Sequence, residues 1–270
     1  MLFLLSILLI ASTINFLLIY FLDISWYFHF LMLLGICFVL ILIFLLVVYV
    51  IGLIIANPKN EIRKPSRLLT GAVHMVCRFI ILVSNIKIKK DGLEKLEGKK
   101  YLFVSNHQAM MDPITIIASM PNIDLAFLMR ENVKKLPVIG PALVSCGFLT
   151  INRENNREGL KAIIRAVHRL EEGYPVGVFP EGKRSKGPDI GRFRDGAFKM
   201  AIRSESDIAV IVVDNEYKIH FNAPFRRTKV NVKLCGILKY DDFKEMNTTE
   251  IGDKVIEIMH SGLEELRKNR

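Results

Sequence analysis

The sequence predicts an α/β domain with a largely parallel, mixed central sheet flanked by helices, preceded by an N-terminal hydrophobic helical hairpin. Three observations predict it. Short β-rich apolar runs alternate with helical stretches from residue 86 onward, the pattern of strand–helix–strand units. The first 56 residues hold a single charged side chain, Asp23. Three of the apolar runs end in turns dense with polar residues, and open α/β sheets place their sites at such carboxyl ends.

Taking the chain in order, Met1 to Leu22 and about Tyr27 to Ala56 are two apolar runs. A spanning helix needs roughly 20 mostly apolar residues. The second run exceeds that, which tilt or continuation into the interface accommodates. A cleaved signal peptide would begin with positive charge and end in small residues, whereas Met1-Leu2-Phe3-Leu4-Leu5 is uncharged and the run stays bulky through Tyr20-Phe21-Leu22. The segment Asn57 to Arg67 carries Lys59, Arg63, Lys64 and Arg67, so by the positive-inside rule it faces the cytoplasm. A hairpin turning at Asp23-Ile24-Ser25 returns both termini to that face; a monotopic insertion of the same hairpin reads equally well. The expected division is a membrane-anchoring hairpin of one or two transmembrane helices over 1–56, a basic juxtamembrane linker with an interfacial helix over 57–84, and a cytoplasmic domain over 85–270. In a bacterium the membrane would be the cell membrane.

The net charge is +10, and because the first 56 residues contribute only one acid, the cationic excess belongs to the remainder. Acidic partners follow: anionic phospholipids, phosphorylated substrates, a nucleotide-bearing co-substrate or an acidic carrier protein. Nucleic acid is set aside, since the apolar hairpin comes with no groove-reading motif. Cys37, Cys77, Cys146 and Cys235 offer neither CxxC spacing nor a paired framework, so a reduced compartment and no metal site are expected.

Residues 67–83 read as an interfacial or core-docked helix interrupted by Arg67, His74 and Arg78. Strands are expected at 86–89, 101–105, 125–129, 148–152, 176–179, 209–213 and 230–234. The best helix between them starts at Asn155 with Glu158 in a capping box, and continues with Leu160, Ile163, Ile164, Val167 and Leu170 as its apolar face. His168 borders that face and reads as structural.

The first strand-end turn, Asn106-His107-Gln108-Ala109-Met110-Met111-Asp112, sets an imidazole and a carboxylate close together after Tyr101-Leu102-Phe103-Val104. A histidine titrates near neutrality, and a carboxylate on its second ring nitrogen fixes the tautomer and supports the imidazolium. No serine or cysteine nucleophile is needed if the substrate supplies a hydroxyl. The plainer alternative is an Asp112-Pro113 helix start with His107 an ordinary strand-end residue. Five residues on one helix would separate the pair by about 140°, so the chemistry requires His107 on the turn and Asp112 opening the helix. Asp112 is then expected to cap that helix and hold His107 together.

The second segment, Gly147 to Arg153, delivers an arginine as its strand finishes. The third is Val176-Gly177-Val178-Phe179-Pro180-Glu181-Gly182-Lys183-Arg184-Ser185. Arg153, Lys183 and Arg184 suit an anionic group, and Gly182 allows close backbone approach. Each cation by itself also reads as an exposed surface residue. Glu181 reads either as orienting a substrate hydroxyl or as pairing with a nearby arginine.

Asn106 to Asp112 and Phe179-Pro180-Glu181-Gly182-Lys183-Arg184-Ser185 resemble the HxxxxD and FPEGTRS blocks of the 1-acylglycerol-3-phosphate acyltransferases. Gly147 to Arg153 is similar to that family's GxxFIxR block, and Phe193 to Ala201 to the stretch after FPEGTRS. The likeness covers about Asn85 to Val213. It implies the glycerolipid-acyltransferase fold and acyl transfer from a thioester, acyl-CoA or acyl-acyl carrier protein, to the 2-hydroxyl of lysophosphatidic acid, giving phosphatidic acid. It implies His107 as general base and Asp112 as its orienting group, with no acyl-enzyme and no permanently bound cofactor. Arg153, Glu181, Gly182, Lys183, Arg184 and Ser185 would hold the acceptor phosphate, with Asn106, Phe179 and Pro180 as support.

Three departures stand out: Lys183 in place of the family's threonine, Thr150 in place of phenylalanine, and no proline in Ile208 to Val213. Lys183 adds a cation where the headgroup is expected, so another lysophospholipid, glycerol 3-phosphate or a lyso-aminolipid stay open as acceptors. Hydrolysis, with water as the acceptor, is a further alternative. A non-catalytic scaffold that binds anionic lipid is the alternative from another class.

Overall fold

The computed structural model describes residues 7, 9–17, 26–55, 67–96, 100–136, 139–152 and 156–268. Residues 9–17 are helical. The elements that follow are α1 (Trp26–Ile55), α2 (Arg67–Val83), β1 (Ile86–Asp91), β2 (Tyr101–Ser105), α3 (Asp112–Ser119), β3 (Ala126–Arg130), α4 (Glu131–Lys134), α5 (Ile139–Ser145) and β4 (Leu149–Ile151). Then come α6 (Asn156–Glu171), β5 (Val176–Val178), α7 (Lys199–Ser204), β6 (Asp207–Asp214), α8 (Ile219–Asn222), β7 (Thr228–Leu238) and α9 (Thr248–Lys268).

The seven strands form one sheet in the order β1-β7-β6-β2-β5-β3-β4. The five strands from β6 to β4 run parallel. β7 pairs antiparallel with β6 and parallel with β1, which makes the sheet mixed as expected. Each expected strand is present. β7 is longer than expected at 11 residues, bending at a register shift opposite Val210 and Ile211.

Parallel strands covered on both faces read as unbroken apolar runs, and period-2 alternation divides their side chains between two cores. Tyr101, Phe103, Ala209, Ile211 and Val213 pack on one face with Cys77 and Ile81 of α2 and Ile116 and Ile117 of α3. Leu102, Val104, Ile208, Val210 and Val212 pack on the other with Leu170 of α6, Met200 of α7 and Ile251, Val255 and Met259 of α9. Truncating any of these large buried side chains to alanine removes about 2–5 kcal/mol.

The 67–83 helix is core-docked: His74, Cys77 and Ile81 are buried, while Leu82 and Val83 at its end are exposed. In α6 the buried stripe is Ala162, Ala166, Val167 and Leu170, and Leu160 and Ile164 are exposed, which corrects the expected face. The small side chains Ala162 and Ala166, passed over by a reading that counts large apolar residues, let α6 approach the sheet closely. Its expected capping residue, Asn155, lies outside the described residues. His168 is exposed and meets Glu171 at 3.1 Å, a surface role.

At the N-terminus, α1 is a single helix of 30 residues. Among the described residues no helix is long and apolar enough to cross a membrane. The expected spanning hairpin is therefore not shown. Its turn at Asp23 to Ser25 and the basic segment 57–66 lie outside the described residues.

Candidate active site

Every strand-end turn of β2, β5 and β6 opens on the same edge of the sheet, because these three strands run parallel. That edge brings the His107 turn and the Phe179 to Ser185 turn together. Two backbone bonds fasten them: Ser185 donates its N–H to the His107 carbonyl at 2.8 Å, and Lys186 donates to that of Gln108 at 3.2 Å. Asn106 anchors the first turn sideways. Its side-chain amide donates to the Val213 carbonyl at 2.9 Å and accepts the Val213 N–H at 2.8 Å, mimicking one more step of strand pairing against β6.

His107 Nδ1 lies 2.6 Å from Asp112 Oδ2, with the Asp112 side chain wholly buried and His107 17% exposed. The Ala109 N–H donates to the same carboxylate oxygen at 2.9 Å. A carboxylate accepting at Nδ1 fixes the proton there and makes Nε2 the nitrogen that receives a further proton. Burial pushes the Asp112 carboxyl well above its ordinary value; the Ala109 and Gln108 amides pull it back, Glu181 adds to the rise and Arg184 opposes it. The imidazole at 2.6 Å is the partner that makes a buried carboxylate tolerable.

The expected double duty of Asp112 is not what the structure holds. The cap position of α3 is Met111, with no side-chain cap bond and a proline at the helix start. Asp112 Oδ1 has no hydrogen-bond partner among the described residues. Oδ2 is turned back onto His107 and Ala109, so the carboxylate serves the turn and not the helix end.

An aromatic stack sets the ring plane of His107. Phe179 lies against it with centroids 4.2 Å apart, and Phe127 of β3 lies behind Phe179 at 5.0 Å. Gly177 in β5 makes room, because a Cβ there would come within 2.5 Å of the Phe127 ring. Glu181 is buried and occupied by backbone: Oε1 accepts the His107 N–H at 2.7 Å and Oε2 the Gly191 N–H at 2.8 Å. It clamps the His107 turn to the 181–191 loop. Burial raises its carboxyl above the ordinary value, with those two amides opposing the rise.

Lys183 and Arg184 are exposed on this rim, Ser185 is half-buried, and Pro180 and Gly182 are buried. Gly182 has φ +71°, a conformation that favours glycine. Arg184 acts electrostatically on Asp112, which puts a guanidinium near the pair. Arg153 lies outside the described residues, so its place at the site stays an expectation.

Beneath the pair is a buried polar group that sequence reasoning misses. Thr115 Oγ1 donates to Glu216 Oε1 at 2.7 Å, and the Glu216 N–H donates to Gln108 Oε1 at 3.2 Å. Glu216 is fully buried, and burial together with the Asp112 charge pushes its carboxyl up to about 8. Glu216 Oε2 has no hydrogen-bond partner among the described residues, so the neutral carboxyl is favoured over a second buried charge beside Asp112. The signal that finds it is positional: Glu216 follows the end of β6 at the same sheet edge that selected the other three segments.

Comparison with known proteins gives a consistent picture. A family model described as Acyltransferase matches residues 87–214. The chain is 26% identical over 175 residues to the 1-acyl-sn-glycerol-3-phosphate acyltransferase of Borreliella burgdorferi, covering 63% of this chain and 70% of that one. It is 27% identical over 186 residues to the Helicobacter pylori protein of the same name, covering 68% and 74%. The crystal structure of the 1-acyl-sn-glycerophosphate acyltransferase of Thermotoga maritima superimposes with a TM-score of 0.61 over 73% of this chain and 79% of that one; at 21% identity this speaks to the fold.

Proposed function

We propose that the chain, which is similar to 1-acyl-sn-glycerol-3-phosphate acyltransferases, moves a fatty acyl chain from acyl-CoA or acyl-acyl carrier protein to the sn-2 hydroxyl of lysophosphatidic acid, making phosphatidic acid for phospholipid synthesis. The observation that carries the proposal is the 2.6 Å contact between His107 Nδ1 and the fully buried Asp112 carboxylate. His107 Nε2 takes the proton of the acceptor hydroxyl as its oxygen attacks the thioester carbonyl. The tetrahedral intermediate collapses by expelling the thiolate, which recovers the proton from the imidazolium. Asp112 holds the tautomer and stabilises the imidazolium while it lasts.

No acyl-enzyme is invoked. Burial pushes the Cys77, Cys146 and Cys235 thiols up to about 12, 11 and 12, which leaves them poor nucleophiles near neutrality. Lys183 and Arg184, with Arg153, which follows β4 in the sequence, hold the acceptor phosphate. Gly182 and Ser185 shape the turn beside it, and Glu181 fixes that turn to His107. The N-terminal segment anchors the enzyme, supported by 30 helical residues in α1 whose Leu31, Leu34, Phe38, Leu42 and Leu46 are exposed. The catalytic domain then faces the cytoplasm, where Lys59, Arg63, Lys64 and Arg67 belong. Anionic phospholipids are its surroundings.

The exposed Lys183 favours one second reading, an acceptor with a different headgroup. The test of both is to give the purified full chain in vesicles a panel of lysolipids and glycerol 3-phosphate with each donor, and to identify products by mass spectrometry. Phosphatidic acid from lysophosphatidic acid is the expected product. Acylation of a different acceptor in preference moves the assignment, and free fatty acid alone makes the protein a hydrolase.

A further inference from the structure

We propose that the connection from β6 to β7, residues 215–227, is a second membrane contact that dips into an anionic lipid surface beside the active site. Phe221 is 80% exposed and Phe225 91% exposed. Large apolar side chains so fully exposed on one short segment mark an interaction surface. Residues 217–227 also carry Lys218, Arg226 and Arg227 and no acidic residue. Aromatic tips among cations suit the boundary between anionic headgroups and acyl chains.

The segment is held rigidly with those tips outward. Ile219 is buried in the core shared with α2 and α3. The Ala223 N–H donates to the Ile219 carbonyl at 2.9 Å and the Arg226 N–H to the Asn222 carbonyl at 2.7 Å. Asn222 Nδ2 donates to Thr228 Oγ1 at 3.1 Å, tying the segment to the start of β7. Its first residues are bonded to the catalytic turn, through the Glu216 N–H on Gln108 and the Thr115 hydroxyl on Glu216.

Other exposed apolar residues share the edge. β1 begins where β7 begins, Ile86 pairing with Thr228, so Leu82 and Val83 lie beside the segment. The Thr228 N–H donates to the Asn85 carbonyl at 3.1 Å, and Arg227 Nε donates to Asn85 Oδ1 at 3.4 Å. Met110, between His107 and Asp112, is 71% exposed on that edge. A lipid surface touching Phe221, Phe225, Leu82, Val83 and Met110 would set the depth of His107 against the bilayer, which an acceptor anchored by its acyl chain requires. This placement rests on the membrane reading above and not on its chemistry.

The test uses the full chain in phosphatidylglycerol-containing vesicles, with Trp26→Phe removing the one native tryptophan and Phe225→Trp as reporter. Expected are a blue-shifted emission, strong quenching by lipids brominated near the headgroup, weak quenching by acrylamide, and a marked loss of the lipid quenching in Arg226→Gln/Arg227→Gln. The KM for vesicle-borne acceptor should rise about tenfold in Phe221→Ser/Phe225→Ser. Emission of an exposed tryptophan, quenched by acrylamide and untouched by brominated lipid, overturns the proposal. So does a shift that appears only on adding an acidic carrier protein, which would make the segment a protein-docking site. An enzyme that makes phosphatidic acid while the reporter indole at position 225 stays in water loses this contact and keeps its function.

Discussion

Glu216→Gln separates the electrostatics of the buried group beneath His107 from its packing. Glutamine keeps the volume, and its carbonyl still accepts the Thr115 hydroxyl that Glu216 holds at 2.7 Å. It cannot ionise. The native carboxyl is raised from 4.5 to about 8 by burial and by the Asp112 charge. At about 1.4 kcal/mol per pH unit, that is a folded-state preference for the protonated acid of about 5 kcal/mol at most. Because the folded value is the higher one, this contribution is fully present below about pH 4.5, declines as pH rises, and is gone above about pH 8. Glu216→Gln should therefore become progressively more stable relative to the parent as pH rises, by up to about 5 kcal/mol across that window. Guanidinium denaturation of both proteins in detergent micelles, near pH 5, 7 and 9, measures the difference directly. Parallel stability profiles for parent and variant would refute a buried, protonated Glu216.

Further outcomes follow from the site. Gly191→Ala places a Cβ 2.5 Å from Glu181 Oε2, so the clamp on the His107 turn must open; stability should fall by about 1–3 kcal/mol and kcat with it, read by denaturation and initial rates. Gly177→Ala displaces the Phe127 ring that supports Phe179 and should lower kcat more than it raises KM, since it touches ring orientation and not the cationic rim. Maleimide or iodoacetamide near pH 7 should leave Cys77, Cys146 and Cys235 essentially unmodified in the folded protein, by peptide mass mapping, because burial pushes their thiols up to about 12, 11 and 12.

Much of this was legible in the sequence because parallel strands buried on both faces announce themselves as apolar runs, and their carboxyl ends announce a site. His107 is far along the chain from Phe179 and Glu181, and the strand-end rule alone predicts their meeting. The reversed direction of β7 was not legible: an apolar strand reads the same whichever way its neighbour runs. α9 is absent from the sequence reading although Ile251, Val255, Met259 and Leu263 keep a helical period. Its start is capped by Asn247 Oδ1, which accepts the N–H groups of Thr249 and Glu250 at 2.9 and 3.0 Å. Glu181 and Glu216 illustrate the harder limit. A glutamate after a strand end looks solvated, and only the fold shows one carboxylate consumed by two backbone amides and the other buried beneath the dyad.

The central claim is that His107, held by Asp112, is the base that activates the lipid hydroxyl, and acyl transfer by purified His107→Ala in vesicles tests it most directly. The expected result is an initial rate lowered by about a hundred- to ten-thousand-fold, with vesicle association and circular dichroism unchanged. A folded, membrane-bound His107→Ala protein that forms phosphatidic acid within about twofold of the parent rate would contradict that role.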